Sequence, residues 1–338
     1  MLTVHTLTTE NRLNAPRIAV VGSYATGLTM RVERLPHSGE TLLATGYRVD
    51  YGGKGSNQAV ACARLGADVA LVAKIGRDTF ADMALRLYRD ESIDVAHVKQ
   101  IAGAPTGVGF IIVDADGHNC ITIDPGANEF LTANDVSSSA AAVQASRVVL
   151  TQLEIPVAAA EAAMSLGRTA GAITILNPAP VRPLPASLLR MVDVLTPNET
   201  EAKVLAGLSP AEGSAPEEMA RKLIHGGVKQ VVMTLGERGA LIVTASSSQH
   251  VAAMNMSAVD TTGAGDAFNA GLAVALASGA TLEAAVRFAV VTGGLAVTRE
   301  GVIPALPSNP EVLQFLRQRS VPVPDWFSRL NLRERKTS

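Results

Sequence analysis

The chain has 338 residues, 47% of them apolar and 18% charged, which supports a large packed core and excludes a disordered chain. A formal net charge of −2 and 4% aromatic residues offer neither the field nor the stacking surface for a nucleic-acid or membrane-surface partner. The two cysteines, Cys62 and Cys120, have no metal-ligand spacing and suit a reducing compartment, so a small-molecule enzyme is the expectation.

Residues 1–16 are polar and end in Ala15-Pro16, which predicts a loose N-terminal tail. The first thirty residues hold no continuous apolar run, and nothing later is long enough for a membrane helix, so a soluble, cytoplasmic protein is predicted. From Arg17 onward short apolar runs recur at 18–22, 69–75, 148–152, 173–177, 192–196 and 231–235. Helical stretches are predicted between and after them, at 56–65, 78–91, 132–144, 157–170, 199–206, 216–226, 267–278 and 281–298. Strands apolar on both faces, alternating with helices, predict an α/β domain over 17–318 built on a doubly wound, mostly parallel sheet. Two β-rich segments, about 28–49 and 106–124, interrupt the alternation and are predicted to form a small separate sheet, a lid over the carboxyl edge. Residues 319–338, which include Trp326, are predicted to be a C-terminal tail.

Several stretches carry chemistry. Asp260-Thr261-Thr262-Gly263-Ala264-Gly265-Asp266-Ala267-Phe268 sets a carboxylate after a glycine-rich turn and before a helix. The amides of Gly263, Ala264 and Gly265 would face an anion at the helix N-terminus, with Asp266 beside it to accept a hydroxyl proton. Plain helix capping by Asp266 explains the stretch as well. A dinucleotide fingerprint does not, because Phe268 stands where its third glycine belongs.

Tyr51 to Ala59 is a second glycine-rich helix start, with Gly53, Lys54, Gly55 and Asn57. It is no P-loop, since Arg48 and Gly55 occupy its required Gly and Ser/Thr places. Close backbone approach to a polyhydroxy substrate, with Lys54 and Asn57 supplying polar groups, is the alternative to a simple turn. Glu154 follows an apolar strand, where ligands bind in open α/β sheets. Asn198 and Glu201 match a capping box, yet both are also hard oxygen ligands suited to Mg2+. Thr234, Gly236, Glu237 and Gly239 form a turn against which a nucleotide would lie, or a turn alone.

Together, GGKGSNQA near the start and DTTGAGDAF near the end resemble the two signatures of the ribokinase-like (PfkB) carbohydrate kinase family. The stretches QLEIP, NPAP, LTPNETEA, TLGERG and AVTREG extend the resemblance over about residues 17–318. It implies ATP-dependent phosphorylation of a sugar hydroxyl, D-ribose to D-ribose 5-phosphate in the pattern followed most fully. Asp266 would then be the general base, and Gly263, Ala264 and Gly265 the anion hole. It further implies sugar contacts from Gly53, Lys54, Gly55, Asn57, Glu154 and Asp266, and ATP contacts from Asn198, Thr234, Gly236, Glu237, Gly239 and Gly265. Glu201 would serve a Mg2+ network. Asp260, Thr262, Ala296, Arg299 and Gly301 would hold a monovalent cation, usually K+, mostly through main-chain carbonyls. Homodimerisation through the lid is also common in the family.

One segment departs from the pattern. Ala25 and Gly27 stand where ribose kinases carry Asn and a sugar-binding Asp. Ribose phosphorylation then requires Tyr24 or a lid residue to replace that carboxylate. The alternative is a kinase for a nucleoside or another sugar, for which Gly27 makes room. A sugar-binding protein without catalysis is disfavoured by the complete phosphoryl-transfer set.

Overall fold

The computed structural model describes residues 15–209 and 213–330. Strands are numbered in chain order. A nine-stranded sheet contains β1 (Arg17–Val21), β4 (Asp68–Ile75), β5 (Val98–Gln100), β8 (Val148–Thr151), β9 (Ile173–Leu176), β10 (Val194–Leu195), β11 (Gln230–Thr234), β12 (Ala240–Val243) and β13 (Ser248–Val251). Their order is β13-β12-β11-β10-β9-β8-β1-β4-β5. Neighbours from β5 to β11 are parallel, and β12 and β13 add an antiparallel edge. The expected doubly wound sheet is therefore present, and the six apolar runs are its central strands. The short polar edge strands β5 and β13 carry no apolar period, so the sequence did not announce them.

Both faces of the sheet are covered because both faces of its strands are apolar. Ile18 and Val20 of β1 join one core with the helices Lys54–Arg64, Ala264–Ala277 and Leu282–Ala296. Ala19 and Val21 join the other, with Val157–Thr169 and Pro216–His225. The helix predicted over 132–144 is two short ones, Ala133–Ser138 and Ala140–Gln144. At the break the Ser138 and Ser139 hydroxyls both donate to the Asp135 carbonyl, competing with the backbone ladder.

Of the predicted tails, 1–14 and 331–338 lie outside the described residues. Residues nearer the domain at the C-terminal end are packed. Phe327 is fully buried with its ring 4.6 Å from that of Phe288, and Trp326 stacks edge-on to Phe288 at 5.0 Å. The tail expected from residue 319 thus joins the core as far as Leu330. Among the described residues no helix is long and apolar enough to cross a membrane.

The second sheet has four strands in the order β3-β2-β6-β7: β2 (Ala25–Arg31), β3 (Gly46–Gly52), β6 (Gly107–Val113) and β7 (Asn119–Asp124). Its base is fastened by polar side chains. Asn128 Oδ1 accepts from Tyr24 N at 3.0 Å while its Nδ2 donates to Tyr24 O at 2.7 Å. Asp78 accepts from both the N–H and the hydroxyl of Thr106, each at 2.7 Å. Burial alone would raise the Asp78 carboxyl, but these donors outweigh it and hold it below its ordinary value. Tyr24 is fully buried, edge-on to Tyr88 and hydrogen-bonded to Thr26, so it is removed as the replacement for a carboxylate at position 27.

Cys62 is fully buried beneath the sheet, where desolvation pushes its thiol far up, whereas Cys120 is exposed on β7. Native protein should therefore yield one fast-reacting thiol to a disulfide reagent, and a second only after unfolding. Two fast thiols in the native state would contradict this packing.

Candidate active site

The chain reverses its winding between β1 and β8, which are neighbours in the sheet. Crevices form at such a switch point, beyond the carboxyl ends of the strands. Ser23 follows β1 and Glu154 follows β8, and they meet there: Ser23 Oγ donates to Glu154 Oε2 at 2.5 Å. The same oxygen accepts from Lys54 N at 2.7 Å, and Ser23 Oγ accepts from Gly55 N at 3.2 Å. Glu154 thereby anchors the glycine-rich turn. Gly53 has φ 85°, and a Cβ there would come within 2.6 Å of Tyr24 Cα, so only glycine permits the turn to lie on the strand end.

Two helices begin at this crevice. Lys54–Arg64 brings Asn57 and Gln58, and Ala264–Ala277 brings Asp266. Asn57 Nδ2 donates to Asp266 Oδ2 at 2.8 Å, and Gln58 Nε2 donates to Asp266 Oδ1 at 2.9 Å. Each carboxylate oxygen is thus oriented by one amide and keeps further lone pairs for a ligand. Asp266 is buried, and capping does not describe it, because the N-cap is Gly263 in the left-handed conformation.

A cavity of about 220 Å³ opens above Asp266. Lys54, Asn198, Glu201, Thr234, Gly263, Gly265 and Asp266 line it together, although they come from four separate stretches of sequence. Asp266 is the foremost influence raising the Lys54 ammonium above its ordinary value, joined by Glu154 and Glu201 against the opposing effect of burial. Burial pushes the Glu201 carboxyl up, opposed by the Asn198 N–H and Lys54. A larger open concavity of about 580 Å³ lies at the starts of β1 and β4, beside Arg17 and Asp68. It holds none of the motif residues and stands at the wrong end of the strands for the crevice rule.

The remaining candidates sort by geometry. The helix starts at Ala264, three residues earlier than predicted, and the Ala264 N–H points to Thr261 O at 3.3 Å. Of the three amides predicted to face an anion, those of Gly263 and Gly265 have no partner among the described residues. Asn198 and Glu201 do form a capping box: Asn198 Oδ1 accepts from Glu201 N at 2.8 Å, and Glu201 Oε2 from Asn198 N at 2.9 Å. Asn198 Nδ2 and Glu201 Oε1 stay outside those bonds. Gly236, Glu237 and Gly239 follow β11 but do not line the cavity. Asp260 lies beside it, tied to Thr262 N at 2.9 Å, Thr262 Oγ1 at 2.6 Å and Gly301 N at 3.0 Å. Burial would raise the Asp260 carboxyl, and these donors bring it below its ordinary range instead. Arg299 pairs with Glu311 at 2.7 Å, and Ala296 is buried at the end of its helix.

Sequence reading missed the residues behind Asp266. Gln58 also donates to Asn177 Oδ1 at 3.1 Å and accepts from Gln152 Nε2 at 2.5 Å. Asn177 Nδ2 donates to Thr196 O at 3.2 Å, Thr196 Oγ1 donates to Asn269 Oδ1 at 2.6 Å, and Asn269 Nδ2 returns to Gly265 O at 2.8 Å. The available signal was position: Gln152, Asn177 and Thr196 each directly follow a strand that ends at the crevice.

The fold and crevice are those of an α/β phosphoryl-transfer enzyme, and comparison with known proteins specifies which. A family model for pfkB family carbohydrate kinases matches residues 15–309. A ribokinase of Haemophilus influenzae is 36% identical over 299 residues, spanning 88% of this chain and 98% of that protein. A deoxyribokinase of Salmonella typhi is 35% identical over 300 residues, with the same coverage. The structure of Arabidopsis thaliana ribokinase complexed with ribose and ATP superimposes with a TM-score of 0.83 at 32% identity, covering 90% of this chain and 99% of that one. The chain belongs to the pfkB family of carbohydrate kinases and is an ATP-dependent sugar kinase.

Gln58→Leu would leave Asp266 Oδ1, Asn177 Oδ1 and Gln152 Nε2 each short of a partner. Unfolding in urea should show a loss of about 2 kcal/mol or more, on the scale of a buried donor or acceptor left unmade. A change below about 0.5 kcal/mol would mean that the network does not bear on the fold.

Proposed function

We propose that the enzyme transfers the γ-phosphoryl group of ATP to the primary hydroxyl of a pentose, D-ribose first among them, giving the 5-phosphate. The observation that carries this reading is the Asp266 carboxylate, buried, oriented by two amides and set at the mouth of a cavity beside unpartnered helix-start amides. Asp266 takes the hydroxyl proton as the sugar oxygen bonds to the γ-phosphorus and the bond to the β-bridging oxygen breaks, releasing ADP. Gly263 and Gly265 hold the charge on the phosphoryl oxygens, and Lys54 adds a cation beside them. Asn57 Oδ1 is a buried acceptor with no partner among the described residues, which suits a sugar hydroxyl. Gly53, Gly55 and Glu154 shape that sugar end. Thr234, Gly236, Glu237, Gly239 and Asn198 form the nucleotide side.

Mg2+ brought with ATP supplies neutralising charge for the phosphates. Glu201 fits it, because the residue lines the cavity and only one of its oxygens is spent on the capping box. A monovalent cation such as K+ would be held by the loop of Asp260, Thr262, Ala296, Arg299 and Gly301, mostly through main-chain carbonyls. Asp260 Oδ1 accepts two hydrogen bonds and Oδ2 one, so that side chain chiefly shapes the loop. A second acceptor class, nucleosides or other sugars, is favoured by one observation: Gly27 offers no carboxylate where a ribose-binding one is expected, and a Cβ there would stand in ordinary contact with Asp50 at 3.8 Å and Ile111 at 3.9 Å.

Self-association through the lid belongs to the same reading. Met30, Tyr47, Val49 and Phe110 lie on one lid face and are 38–77% exposed. Contiguous apolar surface of this kind marks an interaction site. Sedimentation should find a dimer for the native chain and a monomer for Phe110→Asp. A native monomer at micromolar concentration removes the dimer.

ADP release across pentoses, hexoses and nucleosides, with and without K+, tests the reaction. Asp266→Asn should reduce kcat by about a hundredfold or more, within the range of general-base contributions, and leave ATP binding intact. Near-native turnover by Asp266→Asn would remove the base assignment.

A further inference from the structure

The lid face turned toward the crevice carries a single carboxylate among the described residues, that of Asp50. Paired residues share a face, so Ala25, Gly27 and Thr29 of β2 lie with Gly52, Asp50 and Arg48 of β3. Two contacts set the direction of this face. Arg31 reaches Glu300 at 2.7 Å, and Arg48 stands 3.9 Å from it. Glu300 precedes Gly301, whose N–H holds Asp260 next to the anion-binding turn.

Asp50 is directly opposite Gly27, and a Cβ at Gly27 would lie 3.8 Å from Asp50 Cβ. Gly27, Gly52 and Gly109 leave backbone uncovered beside the carboxylate, and Ile111 Cδ1 borders it, 3.9 Å from where a Gly27 Cβ would stand. Arg48 Nε holds Oδ2 at 2.5 Å, while Oδ1 has no hydrogen-bond partner among the described residues. With Arg48 46% and Asp50 24% exposed, this pair adds little to stability, and the fold does not require it. Ile121 and Ile123 of β7 continue the same face and are 53% and 62% exposed. An oriented carboxylate with an open oxygen, bare backbone beside it and apolar surface beyond suits a polyhydroxy ring. Hydroxyls donate to the carboxylate, and the C–H face rests on the isoleucines.

We propose that Asp50 is the specificity-determining residue of the lid, accepting hydrogen bonds from neighbouring hydroxyls of the phosphoryl acceptor. This rests on the sugar-kinase reading above. The carboxylate expected at position 27 is supplied from the facing strand, and the acceptor ring lies over Gly27. Asp50 makes no contact with the transferring phosphoryl group, so its effect falls on acceptor binding and not on ATP.

The test is calorimetric binding of D-ribose, 2-deoxy-D-ribose, hexoses and nucleosides to the full chain without ATP, for wild type and Asp50→Ala. Asp50→Ala should weaken the best-bound acceptor about tenfold or more, as expected for lost hydrogen bonds to a charged acceptor, with ATP affinity and melting temperature unchanged. An analogue of that acceptor lacking the hydroxyl in question should bind wild type more weakly and Asp50→Ala no worse than the parent sugar, a coupling that a merely structural role would not produce. Equal acceptor affinity in wild type and Asp50→Ala overturns the Asp50 assignment alone. Failure of wild type to bind any of these compounds overturns the sugar-kinase reading, and this assignment with it.

Discussion

The structure turns on one buried carboxylate shared between two helices. Asp266 enters from the helix Ala264–Ala277 and is gripped by Asn57 and Gln58 from the helix Lys54–Arg64. A charge taken out of water is tolerated only with donors on its oxygens, so the two helices must meet in one register. That register points both glycine-led N-termini into the same crevice. Gln58 carries the constraint onward to Gln152 and Asn177, which stand at the ends of β8 and β9. The central sheet and the chemistry are thereby locked together.

Around this point the molecule divides labour by rigidity. The crevice is built from helix starts packed into a core in which Gly271 lies against Thr292 with no room for a side chain. The lid is a four-stranded sheet rooted through Asn128 and Asp78 and joined to the far wall by exposed ion pairs at Glu300. Exposed pairs contribute little energy, so the lid is held mainly at its root. The proposed acceptor contacts of Ala25, Gly27 and Asp50 all lie on this sheet, apart from the helix that carries Asp266.

Much of this was legible beforehand, for identifiable reasons. Strands apolar on both faces produce short apolar runs whose length and flanking turn residues set them apart from helices, and all six central strands are legible on that ground. Glycines that must pass close to backbone, as at Gly53, leave a local mark, and both glycine-rich turns were found. The capping box at Asn198 and Glu201 is likewise a four-residue pattern. Edge strands, the break at Ser139 and the docking of Phe327 on Phe288 left no such mark. Each depends on a partner remote in sequence or on competition within a single turn.

The sequence by itself determined the layered α/β architecture, the two helix-start motifs and the family to which they belong. All three follow from short-range periodicity and turn chemistry. Only the tertiary structure decided that Gln58 orients Asp266, that Tyr24 is fully buried against Tyr88, and that Asp50 faces Gly27 across the lid. Those are contacts between strands and helices far apart in the chain. Their pairing register is set by the packing of the whole domain and not by any local run of residues.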